Sequence, residues 1–90
     1  MKKAVCEPYK GYVYFIVNYS DKRVKIGYSI NPAQRVKQLM TAYPGKRLEV
    51  AKQIKGNVKD ERKYQKIFCH YRIEREWFVL SEEILEFIKR

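Results

Sequence analysis

The stretch GYVYFIVNYSDKRVKIGYS, residues 11–29, constrains the fold more than any other part of the chain. It reads as two β-strands, residues 11–18 and 23–28, joined by the polar turn Tyr19, Ser20, Asp21 and Lys22. Strand side chains alternate between faces, so Val13, Phe15 and Val17 point one way and Tyr12, Tyr14 and Ile16 the other. In the second strand Val24, Ile26 and Tyr28 share a face. If Asn18 pairs with Arg23 across the four-residue loop, Tyr14 lies opposite Gly27, with Lys25 diagonally beside it on the same face. A phenol there has an empty flank and a cationic neighbour.

The rest of the chain supplies what such a hairpin needs to be covered. Asn31 followed by Pro32 is a helix start, and Val36, Leu39, Met40 and Tyr43 recur at helical spacing, so they are expected to form the buried stripe of a helix that Pro44-Gly45 stops. Arg35 projects about 100° from the middle of that stripe, on the helix flank. Residues 47–54 read as a third strand, with Leu48, Val50 and Ile54 on one side and Glu49 and Gln53 on the other. Gly56 breaks it and Asn57 caps a second helix running to about Tyr71, whose apolar face is Tyr64, Ile67, Phe68 and Tyr71. Glu61 falls within about 60° of the centre of that face, an unusual place for a carboxylate. Residues 72–75 make a charged turn, residues 77–80 a short buried segment, and Ser81 caps a last helix docked through Ile84, Leu85, Phe87 and Ile88. The expected fold is therefore α/β (α+β), a small, mainly antiparallel three-stranded sheet flanked by helices.

Ninety residues make one domain, and a chain of this size buries only about two-thirds of its unfolded surface. Hydrophobic residues at 46% and aromatics at 14% provide too much core-forming material for a disordered tail. Twenty Lys and Arg against ten Asp and Glu leave a net charge of +10, whose self-repulsion is most simply explained by a polyanionic partner. Acidic residues concentrate near the C-terminus, so the basic excess falls on the hairpin and first two helices. Cys6 and Cys69 lack zinc-site spacing and read as reduced structural thiols. No apolar run has the length of a membrane span and residues 1–10 lack a signal-peptide core, so a cytoplasmic protein without membrane contact is expected.

YVY at 12–14 and KIG at 25–27, followed by Arg35, Glu61 and the pair Trp77-Phe78, resemble the GIY-YIG nuclease superfamily, and within it the small phage-type and fungal-type (meiotically up-regulated) subgroup, whose second motif commonly begins with Lys. The similarity runs over roughly residues 11–80, which leaves residues 1–10 as a basic arm and residues 11–90 as the nuclease-like domain. The resemblance implies a divalent-metal-dependent DNA endonuclease. In it Tyr14 activates the attacking water, Arg35 steadies the phosphate and Glu61 holds one Mg2+ or Mn2+ ion. Lys25 binds phosphate or lowers the pKa of Tyr14, and Tyr28 occupies a place where some relatives carry a proton-handling group. Lys25, Arg35, Lys37 and Lys10 are the expected nucleic-acid contacts, duplex DNA before RNA, with a homodimer or protein partner supplying specificity.

Each role has a plain alternative. A phenol is a poor base near pH 7, with an ordinary pKa of about 10, unless positive charge such as Lys25 and Arg35 favours the phenolate. Tyr14 packed in the sheet with its hydroxyl bonded is the other reading, as are Arg35 in a surface ion pair, Glu61 as a solvated edge residue and Tyr28 as core. Two positions depart from the family pattern: Leu39, where relatives often place His or Tyr, and Gln65, where the subgroup often has His. Both exchanges remove a proton carrier and favour a rival reading, a catalytically inactive nucleic-acid- or host-protein-binding module of phage or mobile-element origin. The enzymatic reading requires Tyr14, Arg35 and Glu61 to converge on one solvent-open pocket.

Overall fold

Alternation along the hairpin and helical periodicity after it build two layers on either side of one antiparallel sheet. The protein is described by a computed structural model covering residues 11–90; the basic arm, with Lys10 and Cys6, lies outside the described residues. The elements are β1 (Gly11–Asn18), β2 (Arg23–Ser29), α1 (Pro32–Ala42), β3 (Leu48–Gly56), α2 (Val58–Ile67), a 3₁₀ turn (Cys69–Tyr71), β4 (Arg72–Glu74), β5 (Trp77–Val79) and α3 (Glu82–Lys89). The sheet has five strands in the order β3-β1-β2-β5-β4, all neighbours antiparallel, rather than three. The two additional strands are three residues each, and β4 is exposed throughout, so neither has an alternating pattern to announce it.

The hairpin register is the one its loop dictates: Asn18 pairs with Arg23 and Tyr14 with Gly27. Asn18, only 2% exposed, locks the turn from both ends, since its Oδ1 accepts from Asp21 N at 3.0 Å while its Nδ2 donates to Asp21 Oδ2 at 3.0 Å. Lys22, with φ of 56°, closes the turn through the left-handed region.

The first face of the sheet carries the larger core. Val13, Phe15, Val17, Val24, Ile26 and Phe78 pack there against Phe68 and Ile84, with Tyr64 and Phe87 alongside. Phe15 sits among three rings, its centroid 5.9 Å from Tyr64, 6.4 Å from Phe68 and 5.3 Å from Phe87. Each such pair adds about 0.5–1.5 kcal/mol to simple burial. The second face is thinner: Tyr14, Ile16 and Leu48 are covered by Val36 and Leu39 of α1, with Val50 beside them.

Three packing expectations are corrected. Met40 and Tyr43 are 43% and 36% exposed, because α1 presents its stripe to the sheet only through Val36 and Leu39. On β3 the register slips between Phe15 and Ile16, where Lys52 and then Val50 are the successive partners, so Ala51 is an extra residue. Leu48 and Val50 consequently face α1, while Ile54 and Ala51 pack on the opposite core. The second helix ends at Ile67, and Tyr71 falls instead in the 3₁₀ turn that follows; Ile67 is 50% exposed.

Caps fix the helices where the sequence put them. Asn31 Oδ1 accepts from Gln34 N at 3.2 Å, and Ser81 Oγ from Ile84 N at 3.3 Å. Asn57 and Asp60 bond reciprocally as a capping box, with Asp60 Oδ2 accepting from Asn57 N at 2.9 Å. No helix among the described residues is long and apolar enough to cross a membrane.

Candidate active site

Gly27 decides where the phenol of Tyr14 goes. A Cβ at position 27 would lie 2.4 Å from the Tyr14 hydroxyl oxygen and 2.5 Å from its Cζ, so the ring crosses β2 through the space that the missing side chain leaves. The hydroxyl thereby lies at the backbone of β2, near the strand's outer edge.

That edge is only half covered. β5 pairs with β2 at Arg23, Lys25 and the residue between them, and no further. Beyond the ladder, the Ile26 N–H donates to the Glu76 carbonyl at 3.0 Å and the Ile26 carbonyl accepts from Gln65 Nε2 at 2.9 Å. Through this opening, groups from both faces of the sheet meet. Lys25 Nζ lies 2.9 Å from Glu76 Oε1, and Glu61, in the first turn of α2, accepts from Gln65 Nε2 at 3.4 Å. The Glu76 carboxylate lies close enough to Glu61 to raise its pKa.

The electrostatics follow from that crowding. Burial, and next the Glu76 carboxylate, push the Glu61 carboxyl above the ordinary range, with Arg62 and Lys25 opposing. Tyr14 is only 1% exposed. Burial first and Glu76 second push its pKa up to about 12, Arg35 works against them and Glu61 with them. Tyr14, Arg35, Glu61 and Glu76 thus occupy one electrostatic neighbourhood although they come from β1, α1, α2 and the β4–β5 turn. Two expectations change. The pocket is not solvent-open at the phenol, whose ring is enclosed, and the surroundings favour the neutral phenol rather than the phenolate. The Lys25 ammonium, expected to help Tyr14 ionise, is instead drawn to Glu76 and lies 5.6 Å from the centre of the Trp77 ring.

The remaining candidates are placed as follows. Arg35 is exposed on α1, as helical geometry requires. Tyr28 lies on the other face of the sheet from Tyr14, sharing it with Val13, and its ring fills the space over Gly11. Lys37 is exposed on α1, and Lys10 is outside the described residues. Leu39 packs into the Tyr14–Ile16–Leu48 cluster, so an apolar side chain serves that position. Gln65 is committed to holding the fold. Besides bonding the Ile26 carbonyl, its Oε1 accepts from Arg72 Nη2 at 3.2 Å, tying α2 to the open edge.

Glu76 is the group sequence reasoning missed. It falls between the charged turn read at residues 72–75 and the buried segment read at 77–80, and its backbone is held to β2 by the long-range bond from Ile26. The one signal available is its place just before Trp77, the residue opposite Lys25 in the sheet. Among the described residues no group of three or more His, Cys, Asp and Glu side chains is assembled to hold a metal. Glu61 and Glu76, which influence one another electrostatically, are donors of the kind that suits Mg2+, which takes one or two carboxylates and keeps the rest of its shell for water and phosphate.

Compared with known proteins, residues 11–90 match the family model of the T5orf172 domain, a phage-associated, nuclease-like domain. No curated protein and no solved structure matches the chain.

Proposed function

The chain belongs to the T5orf172 domain family, and from that membership together with the geometry of the β2 edge we propose that it is a divalent-metal-dependent DNA endonuclease of the GIY-YIG kind. The observation that carries this reading is the gathering of a phenol, a guanidinium and two carboxylates in one electrostatic neighbourhood beside the β2 edge that β5 leaves unpaired.

Hydrolysis of a phosphodiester needs an oxygen nucleophile, positive charge against the developing phosphorane and stabilisation of the leaving oxygen. Arg35, exposed and on the helix flank, binds and steadies the scissile phosphate. Glu61, with Glu76 beside it, holds one Mg2+ or Mn2+ ion. Such an ion supplies Lewis-acid charge at the phosphate and a polarised water. Tyr14 is neutral in the resting site, since its pKa lies far above neutrality. With a cation held by Glu61 and Glu76, the two carboxylates that, after burial, oppose ionisation of Tyr14 are offset, and Arg35 acts in the same direction; the phenol first releases its proton to bulk water, and the phenolate then takes one from the attacking water. Lys25, released from Glu76, is the second cation for the DNA backbone, with Lys37 and the arm residue Lys10 extending the contact. Tyr28 is assigned to packing. Sequence preference then comes from a second copy or a protein partner.

The test is nicking of supercoiled plasmid by the purified protein in Mg2+ or Mn2+, with and without chelator. Tyr14→Phe and Glu61→Ala are expected to lower nicking by at least about a hundredfold, the scale of a lost acid–base group, while DNA binding survives. Undiminished cleavage by either variant overturns the assignment.

The enclosed ring of Tyr14 favours a second reading, a DNA-binding module of phage or mobile-element origin that has lost the reaction. Plasmid binding without nicking in either metal selects it. Competition between duplex DNA and RNA across a salt series identifies the preferred nucleic acid.

A further inference from the structure

Next to the open edge lies a cleft of about 540 Å³ lined by Lys25, Tyr43, Glu74, Arg75, Glu76 and Trp77. It adjoins a smaller hollow of about 160 Å³ that shares Tyr43, Glu74 and Trp77 and adds Asn18, Asp21 and Arg23. The larger one falls in the size range of pockets that seat a small organic group, roughly 300–1,000 Å³. Its lining includes Lys25, the cation proposed to meet the DNA backbone.

The lining is unlike the rest of this basic protein. On a chain of net charge +10, the larger cleft sets Lys25 and Arg75 against Glu74 and Glu76, and Lys25 and Glu76 already neutralise one another at 2.9 Å. A phosphate gains little from such a site. A neutral, planar group with donors along its edge fits it better. Trp77, only 8% exposed, makes the floor. Tyr43, 36% exposed and edge-on to Trp77 at 5.7 Å, offers a ring for stacking. Glu74 is exposed at the rim with its carboxylate in neither of the ion pairs found among the described residues, where it can accept from a base amino group. Arg75 holds a left-handed backbone, φ of 50°, that glycine adopts at lower cost, and its carbonyl accepts from Arg72 Nε at 2.6 Å. The rim is thus fixed in place.

We propose that this cleft receives an unpaired nucleobase of the DNA strand whose phosphate lies at Lys25 and Arg35, stacked on Tyr43 above Trp77. The preferred substrate is then DNA with a bulged, mismatched or frayed base beside the scissile bond, not a continuous duplex. The inference rests on the proposed function for the placing of the strand, yet it makes a claim about binding alone. The chain has one tryptophan, so Trp77 fluorescence reports occupancy directly.

The experiment titrates the full chain carrying Tyr14→Phe, in Mg2+ so that Lys25 is free of Glu76 while nicking is suppressed, with three short duplexes: fully paired, carrying one bulged nucleotide, and carrying an abasic residue at the bulge. The bulged duplex is expected to quench Trp77 and to bind roughly tenfold more tightly than the other two, within the range that base–aromatic stacking supplies. Tyr43→Ala should remove that preference while leaving affinity for the paired duplex unchanged, and Tyr43→Phe should retain it. Equal binding of bulged and abasic duplexes, or discrimination that survives Tyr43→Ala, overturns the proposal. Discrimination by a protein that never nicks plasmid in metal leaves the cleft standing and removes the nuclease reading; nicking without discrimination does the reverse.

Discussion

The two faces of the sheet are built to different standards. On one, α2 and α3 close over an aromatic cluster in which Phe15, Phe68 and Phe78 are at most 3% exposed. On the other, α1 alone covers the sheet, with only Val36 and Leu39 reaching the buried cluster while Arg35 and Met40 face water. In a protein this small, apolar area is scarce. Concentrating it on one face leaves the other to enclose the phenol of Tyr14, which opposes folding whenever that group is charged.

This contrast can be broken by experiment. The largest effect is expected from Phe15→Ala, which removes the ring shared by Tyr64, Phe68 and Phe87 and should cost about 3–5 kcal/mol in urea unfolding. The half-exposed Val36→Ala on the other face should cost less than about 1.5 kcal/mol; similar losses at both positions would erase the distinction. A second effect comes from titration. Tyr14 is held at about 12 in the folded state against the ordinary 10, so the folded protein binds this proton more tightly. The stability it contributes is complete below pH 10 and is lost as pH rises toward 12, by about 2–3 kcal/mol. Tyr14→Phe should abolish that part of the alkaline decline. Identical alkaline profiles for both proteins would mean that the phenol is not enclosed among carboxylates. A third effect is expected from Gly27→Ala. Its methyl group would meet the Tyr14 hydroxyl at 2.4 Å and Cζ at 2.5 Å, so the ring must swing away. That should cost about 1–3 kcal/mol and lower nicking together with stability, whereas Tyr14→Phe separates the two.

The hairpin is legible in sequence because period-two alternation and a four-residue loop leave one register, and that register alone places Tyr14 on Gly27. The helix starts are legible because Asn31, Asn57 and Ser81 each precede a periodic apolar run. Beyond them, local pattern is silent. The extra residue at Ala51 shifts the phase of β3, so Ile54 changes face with no change in composition. Met40 and Tyr43 keep helical spacing with Leu39, but spacing reports which side a residue takes, not whether anything covers it. β4 and β5 are too short to alternate, and without them the approach of Glu76 to Glu61 is invisible. Of the site, motif order supplies the identities of Tyr14, Arg35 and Glu61; long-range bonds at Ile26 supply their shared surroundings. The ionisation of Tyr14 escapes sequence for the same reason, because counting nearby cations omits burial and a carboxylate from a distant turn.

The brevity of β5 has one more consequence. With Trp77 as its first residue, the ladder beside β2 ends one step short of Ile26, and the aperture begins there. Lengthening that hairpin by a single turn of the pleat would zip the margin shut and wall off the carboxylates, with every reactive side chain still in the chain. Under the proposed function, a little additional order there would silence the site with no deletion.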